Sequence, residues 1–389
     1  MRKGWESRKL GEVCQFEGGS QPPKSQFSYE PKPGYVRFLQ IRDFASDKNI
    51  TFIPESKKNR LCSETDVMIG RYGASVGKIL TGKAGAYNVA LMKTIPNLAL
   101  LERRWFHNYL QSDVFQERLM NVAARSAQDG FSKEDIFDFP VPIPSLSEQK
   151  RLVGFLDEAF AELATAQANA EKNLQNARAL FESHLQSVFT HRDKDWLDTK
   201  LEDVCGFQNG FAFKSSTFRE KGCPILRISN IQDGGIDTDK LVFFNPKDYR
   251  ENLDRYRIVE GDLLIAMSGA TTGKLGFNTE STVFYLNQRV GKFEPSSKLN
   301  KRFLFYFLST KVEENLRISA GAAQPNLSTE QIKGFILPLP RRSEQDATVE
   351  TLDALSTETK RLARIYEQKQ AALAELKKSL LHQAFSGNL

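Results

Sequence analysis

The sequence predicts an α+β protein: two similar mixed α+β domains joined by two long antiparallel coiled-coil helices, a pseudo-twofold dumbbell. Three observations carry this. First, the chain is written twice. LGEVCQFEGG from Leu10 recurs as LEDVCGFQNG from Leu201, VMIGRYGASVGK from Val67 as LLIAMSGATTGK from Leu263, and FDFPVPIPSLSEQ from Phe137 as KGFILPLPRRSEQ from Lys333. The offset drifts only from 191 to 196 residues, as a tandem duplication with a few loop insertions would give. Second, each copy ends in a proline-punctuated extended segment. Third, a long run of apolar residues spaced three and four apart follows each copy. The implied boundaries are 1–145 and 196–342 for the two domains, and 146–195 and 343–389 for the two helices.

Within each domain a Trp-led segment comes first, at Trp5 and Trp196. Short runs rich in Val, Ile, Leu and Phe, bounded by Gly, Asp, Asn and Pro, predict strands. They are Val36–Ile41 beside Ile225–Ile231, Val67–Ile69 beside Leu263–Ala266, and Asn88–Ile95 beside Asn287–Phe293. One helix is expected after them in each copy, over Glu102–Val122 and Asn300–Arg317. A single twisted, mostly antiparallel sheet per domain is the expected frame. The segments Pro140–Pro144 and Leu337–Pro340 run extended and then stop, because proline continues neither a ladder nor a helix. Ser147 and Ser343 are expected to cap the helices that follow, with Glu148 and Glu344 in the first turn, where the helix dipole favours acid.

The first helix has a seam of Leu152, Leu156, Ala159, Leu163, Ala166, Ala170, Leu174, Ala177, Phe181, Leu185 and Val188. The second has Val349, Leu352, Leu355, Leu362, Tyr366, Leu373, Leu376, Leu380 and Ala384, with Thr359 and Gln370 in the gaps and Gly387 as the stop. Each is ~40 residues, about 60 Å at 1.5 Å per residue. The first carries the chain from one domain to the other and the second returns, so the two are expected to pair antiparallel.

Of the 389 residues 40% are hydrophobic, enough for two cores, and the net charge is +6. The basic excess lies in the globular copies: 21 Lys and Arg against 16 Asp and Glu in 1–145, and 21 against 17 in 196–342. The helical stretches are slightly acidic. A polyanion partner for each domain fits that placement. No run reaches the ~20 apolar residues of a membrane span, and the N-terminus has no apolar signal segment. A cytoplasmic protein with no membrane partner is expected. Cys14, Cys62, Cys205 and Cys223 form no C-x-x-C pair and lie apart from the histidines, so buried core thiols are expected and a metal site is not.

Catalytic patterns fail on inspection. GASVGK at Gly73–Lys78 and GATTGK at Gly269–Lys274 have one residue too few for a Walker A loop, and Ile79 and Leu275 stand where Ser or Thr should bind magnesium. The preferred reading is a tight Gly turn that offers backbone N–H groups and a Lys to a phosphate; the other is a hairpin with a solvated Lys. Glu148-Gln149-Lys150 fits the E-x-K of a metal nuclease, but its counterpart is Glu344-Gln345-Asp346 and both stand at a helix start. No G-x-G-x-x-G strand–helix unit and no Pro-Pro-aromatic tetrapeptide of the amino-methyltransferase type occurs. His107, His184, His191 and His382 fit surface or helix-packing roles.

The Pro-x-x-Ser-Glu-Gln junction, present twice and each time opening a coiled-coil helix, and the closing Phe385-Ser386-Gly387 resemble the specificity subunit of type I restriction–modification systems. The FSKEDI and LSTEQI segments at Phe131 and Leu327, preceded by Gln128 and Gln324, fit the same family. Asp129-Gly130 departs from the Pro325-Asn326 of the second copy. The resemblance spans the whole chain and implies two target-recognition domains, each reading one half of a split DNA site. Spacer helices would set the gap and dock two modification subunits that carry S-adenosylmethionine. Restriction subunits would join the full complex, and this chain would bind no cofactor and catalyse nothing itself.

Base edges are read by Arg, Lys, Asn and Gln, and phosphates are held by Lys and Arg. Candidates in the first copy are Gln21, Lys24, Gln40, Arg42, Arg71 and Tyr72, with Gln128, and Lys78 on phosphate. In the second they are Asn209, Lys214, Ser229, Asn230, Gln288 and Arg289, with Gln324, and Lys274 on phosphate. Arg37 and Arg227, aligned on a strand, suit structural ion pairs. The spacer and docking residues are Leu152, Leu156, Leu163, Leu174 and Phe181 on the first helix, and Leu352, Leu362, Leu373, Leu376 and Leu380 on the second. Two other readings compete: a catalytic subunit with unrecognised motifs, and a coiled-coil scaffold or DNA-binding protein outside restriction–modification.

Overall fold

A computed structural model describes residues 4–125, 130–191, 195–319 and 326–389. They form two compact units, Met1–Lys172 with Tyr366–Leu389, and Asn173–Ile365. The two long helices, Leu146–Thr190 and Arg342–Ser386, each give one end to each unit. Among the described residues no helix is long and apolar enough to cross a membrane.

The first unit contains strands β1 (Glu6–Lys9), β2 (Cys14–Gly18), β3 (Tyr35–Leu39), β4 (Phe52–Pro54), β5 (Leu61–Cys62), β6 (Val67–Gly70), β7 (Ile79–Leu80), β8 (Gly85–Tyr87), β9 (Leu91–Pro96) and β10 (Pro140–Ile143). The expected single sheet is instead two four-stranded sheets, ordered β2-β9-β6-β7 and β4-β3-β8-β5. The first is antiparallel; in the second, β3 and β8 run parallel with Phe38 opposite Ala86. A turn at residues 88–90 passes the chain from β8 in one sheet to β9 in the other. Local periodicity marks strands but not their partners, so this split left no trace in the sequence pattern. β1 pairs with the proline strand β10, Glu6 opposite Ile143, and so places Trp5 edge-on to Trp105 at 5.8 Å.

The expected helix over Glu102–Val122 is two helices, Arg103–Gln111 and Asp113–Ala123. Ser112 breaks it with extended backbone, ψ 154°, and its hydroxyl donates to Tyr109 O at 2.6 Å. A short polar side chain that satisfies backbone groups itself competes with the helix in this way. Trp105, Phe106, Tyr109, Phe115 and Leu119 are fully buried, together with Leu152 and Leu156 from the start of the first long helix and Leu381, Ala384 and Phe385 from the end of the second. Phe385 lies 4.1 Å from Trp105, ring centre to ring centre. Lys377 sits 5.0 Å from the Phe160 ring. The end of the chain thus returns to the first domain, as antiparallel pairing requires. Gly387 stops the helix at φ 82°, and Asn388 N–H donates to Gln383 O at 2.9 Å, closing a Schellman turn.

The second unit repeats the plan. Cys205–Asn209, Val290–Pro295, Leu263–Ala266 and Leu275–Phe277 form the antiparallel sheet. Val242–Phe244, Cys223–Leu226, Phe284–Leu286 and Arg257–Ile258 form the mixed one, with Ile225 opposite Tyr285 in parallel. A small hairpin, Ile231–Gln232 with Gly235–Ile236, is added. Here Lys301–Ser319 is one helix. Leu185 from the first long helix and Val349 and Leu352 from the second pack with Phe303 and Phe307.

Every predicted seam position of the first helix is buried or half-buried. On the second, Leu376 is the exception, 47% exposed; next to it, the Lys377 ammonium lies 5.0 Å from the Phe160 ring centre. Thr359 is buried, and its hydroxyl donates to Leu355 O at 2.8 Å.

The caps fall elsewhere than expected. Ser145, not Ser147, is the first N-cap: its carbonyl takes Gln149 N–H at 2.9 Å, and its Oγ lies 3.3 Å from Glu148 N. The second helix is capped at Arg341, not Ser343, with Glu344 Oε2 accepting Arg341 N–H at 3.3 Å. Each helix starts as soon as the proline strand ends, two positions earlier than side-chain preference suggests. The alignment of Arg37 with Arg227 also fails. The parallel pairings equate Leu39 with Leu226, so Arg227 matches Gln40. Arg37 does pair with Asp47, whereas Arg227 follows its strand and leads into the turn Ile228–Asn230.

Candidate nucleic-acid interface

In the first unit four segments meet through backbone hydrogen bonds: the end of β2, the loop after β6, the 88–90 turn and the segment at Gly130. Gly19 N–H donates to Leu91 O at 3.2 Å and Ser20 N–H to Tyr87 O at 3.0 Å. Arg71 N–H donates to Ala90 O at 2.9 Å, and Leu91 N–H closes the turn on Asn88 O at 3.0 Å. Tyr72 bridges Gly130. A Cβ on Gly19 would stand 2.0 Å from Asn88 O, so the close approach itself demands glycine.

The second unit builds the same frame. Gly210 N–H donates to Val290 O at 3.1 Å, Phe211 N–H to Leu286 O at 2.8 Å, Met267 N–H to Arg289 O at 2.9 Å and Val290 N–H to Asn287 O at 2.9 Å. Ser268 bridges Asn326, and a Cβ on Gly210 would meet Asn287 O at 1.9 Å.

On this shared frame the side chains differ. In the first unit Arg71 donates Nε and Nη2 to Phe131 O, both at 3.3 Å, and its guanidinium lies 5.1 Å from the Tyr72 ring. Tyr72 is 38% exposed. In the second, Gln288 and Arg289 stand exposed at the turn, and Asn209 Nδ2 donates to Thr329 Oγ1 at 2.7 Å. Gln40 leads a 3-10 turn whose Asp43 accepts its backbone N–H at 2.6 Å, and Arg42 projects from that turn into solvent. Asn88 N–H donates to Leu39 O at 3.1 Å, which ties this turn to the same cluster. Gln21, Lys24, Lys214 and Ser229 are exposed; Lys24 opens one 3-10 turn, Lys24–Gln26, and Lys214 immediately precedes the matching one, Ser215–Thr217.

Two candidates are spent inside the fold. Asn230 is 2% exposed, accepts Arg227 N–H at 3.0 Å and donates to Asp237 O at 2.9 Å. It occupies the place of Asp43 and braces a turn. Lys274 lies 3.3 Å from Gln232 Oε1 and 3.6 Å from Asp233 Oδ2, whereas Lys78 is exposed with no ion-pair partner among the described residues. Gln128 and Gln324 lie outside the described residues.

The Gly-rich loops are hairpins rather than anion cradles. The N–H groups of Ser75, Val76, Gly77 and Lys78 all donate to backbone carbonyls, as do those of Thr272, Gly273 and Lys274. The seam leucines Leu152, Leu156, Leu163 and Leu352 are buried, and Leu174, Phe181, Leu362, Leu373 and Leu380 half-buried, so they build the seam and leave outward positions for any partner.

Behind the frame of the first unit lies Glu17. Burial pushes its carboxyl up, but Lys93 at 3.1 Å, the Tyr87 hydroxyl at 3.2 Å and Arg60 at 2.8 Å outweigh this and hold it below the usual carboxylate range. The network fixes the end of β2. Gln208 occupies the matching place in the second unit, so this support is uncharged there.

The profile of the type I restriction modification DNA specificity domain matches residues 2–173 and again 193–368. The chain belongs to this family. This type I specificity chain is similar over 99% of its length to the MjaVIII specificity subunit of Methanocaldococcus jannaschii, 24% identical and covering 93% of that protein. It is 20% identical to the EcoKI specificity subunit of Escherichia coli K12, covering 100% of this chain and 90% of the relative. Among solved structures, a chain from work on complex assembly and conformational transition of the type I system overlays with a TM-score of 0.83 at 18% identity, covering 100% and 99% of the two chains. The HsdS subunit of Thermoanaerobacter tengcongensis overlays at 0.62 with 19% identity, covering 100% and 98%. At these identities the overlays speak for the fold of the specificity chain.

Proposed function

We propose that each unit of this specificity chain reads one half of a split DNA site through the rim of its loop frame. One observation carries the reading: the two units share the same backbone hydrogen bonds around the 88–90 and 287–289 turns, yet present different side chains there. A preserved scaffold with a changed rim is what two readers of different sequences require, because base identity is read by side chains while position is set by backbone and phosphate contacts. The paired helices set the gap between half-sites and dock two modification subunits. Those subunits carry S-adenosylmethionine and the methyl-transfer chemistry, restriction subunits join the full complex, and this chain contributes recognition without catalysis. Such a protein works in the cytoplasm, where the DNA is.

The test is selection from a randomised duplex pool by the chain copurified with its modification subunits. Two short preferred blocks at one fixed spacing, with affinity falling steeply in salt, are expected. Methylation by the purified chain alone would instead favour the catalytic-subunit reading, and affinity for a partner without salt-dependent DNA binding would favour the scaffold.

A further inference from the structure

The turn between the two sheets is closed by the same hydrogen bond in both units, Leu91 N–H to Asn88 O and Val290 N–H to Asn287 O. Each turn is also held from one side by the loop after the central strand, at Ala90 O and Arg289 O, and backed by the glycine that nearly touches Asn88 O or Asn287 O. The two central residues are therefore fixed in matching backbone positions. Their chemistry is opposite: Val89-Ala90 in the first unit, Gln288-Arg289 in the second. Val89 is 38% exposed, although a β-branched apolar residue is not one that tight turns favour. Beside it in the frame, Arg71 N–H holds Ala90 O and Tyr72 is equally exposed.

We infer that this two-residue turn is a specificity-determining element: Val89 makes an apolar contact with a base edge carrying a methyl group, and Gln288 and Arg289 hydrogen-bond purine edges in the other half-site. The inference rests on the proposed reading of DNA by both units. The chemistry follows from the groove. The thymine methyl is the one apolar feature of the major groove, whereas Gln pairs with adenine N6 and N7 and Arg with guanine O6 and N7. The first half-site then includes a thymine, or 5-methylated pyrimidine, where the second has purines. The fixed frame makes the exchange a local one: Ala90 has no long side chain to lose, and the backbone bonds do not involve the side chains replaced.

The test uses the chain in complex with its modification subunits and two double variants, Val89→Gln with Ala90→Arg, and Gln288→Val with Arg289→Ala. Preferred sequences are read from a randomised duplex pool. The first variant is expected to change preference at one or two positions of one half-site only, with roughly a ten- to hundredfold loss against the parent sequence. The second is expected to do the same in the other half-site. Unchanged preference at every position, or weakening that is uniform across sequences, would overturn the inference and assign the turn to scaffold or phosphate contact. A parent complex with no preferred blocks at all would overturn the underlying reading instead, so the two failures are distinct. Circular dichroism and melting of both variants confirm that the frame is intact.

Discussion

Gln149 Oε1 accepts the backbone N–H of Glu102 at 2.7 Å, and the same side chain donates Nε2 to Leu100 O at 2.8 Å and Pro144 O at 2.9 Å. Gln345 makes the same three bonds in the second unit, to Asn300 N, Lys298 O and Pro340 O. Both are 0% exposed. One buried amide thus joins the end of the proline strand, the start of the long helix and the start of the shorter helix beside it. The Gln of the repeated Ser-Glu-Gln is there for this.

Gln149→Ala leaves one donor and two acceptors unpaired in the interior and is expected to cost about 1–3 kcal/mol. Gln149→Glu is expected to be at least as harmful, because a carboxylate offers no donor to the two carbonyls. Denaturant unfolding of both variants checks this; an unchanged midpoint for the alanine variant would remove the staple role.

Phe385 closes the first unit from the far end of the sequence, its ring tilted at 40° to Trp105 with centres 4.1 Å apart, and 5.8 Å from Tyr109. Phe385→Ala opens a cavity in this cluster and should cost about 3–5 kcal/mol. Hydrogen exchange is expected to speed up in Arg103–Gln111, with Lys301–Ser319 unaffected. Faster exchange in both helices alike would mean the damage is not local to the first unit.

How much of this was legible varied with range. The duplication, the seams and the stop at Gly387 follow local patterns, and the buried positions fall where a 3.5-residue repeat puts them. Leu376, expected in the seam, is exposed instead, and it is the ammonium of the charged neighbour Lys377 that lies over the Phe160 ring. The double sheet and its parallel pairing join residues far apart in sequence, which no window of periodicity contains. The same holds for Gln149, whose partners Leu100 and Glu102 lie almost fifty residues back in the sequence; Asn230 braces a local turn, through Arg227 N–H and Asp237 O. Of the site, Arg71, Tyr72, Gln288 and Arg289 stood out as divergent polar or aromatic positions. Val89 did not, since an apolar residue inside the expected strand Asn88–Ile95 reads as core, whereas the strand begins only at Leu91.

Lys78 and Lys274 occupy matching positions but not matching surroundings. Lys78→Ala is expected to weaken binding uniformly across DNA sequences and to reduce the salt slope by about 1. Lys274→Ala should do less, because its ammonium already faces Gln232 and Asp233. Equal effects from the two, measured by titration at several salt concentrations, would contradict this difference.

Burial pushes the Cys14 and Cys205 thiols up to about 12 and the Cys62 thiol up to about 11. A raised folded-state value means that their contribution to stability is complete below about 8.5, the value in an unfolded chain, and is lost as pH rises toward 12. The unfolding midpoint should therefore fall above about pH 9. At pH 8 a thiol reagent should label the half-buried Cys223 first and the other three only on unfolding; rapid labelling of Cys14 in the native protein would contradict its burial.

On the proposed reading, two readers on one chain address two half-sites at a distance set by the helices. Inserting seven residues between Lys172 and Asn173, and seven between Ile365 and Tyr366, keeps the seam in register and adds about 10 Å of helix, roughly three base pairs. Mapping the sites modified by the resulting complex should recover the same two sequence blocks with a longer gap. An unchanged gap, with both blocks intact, would contradict the account.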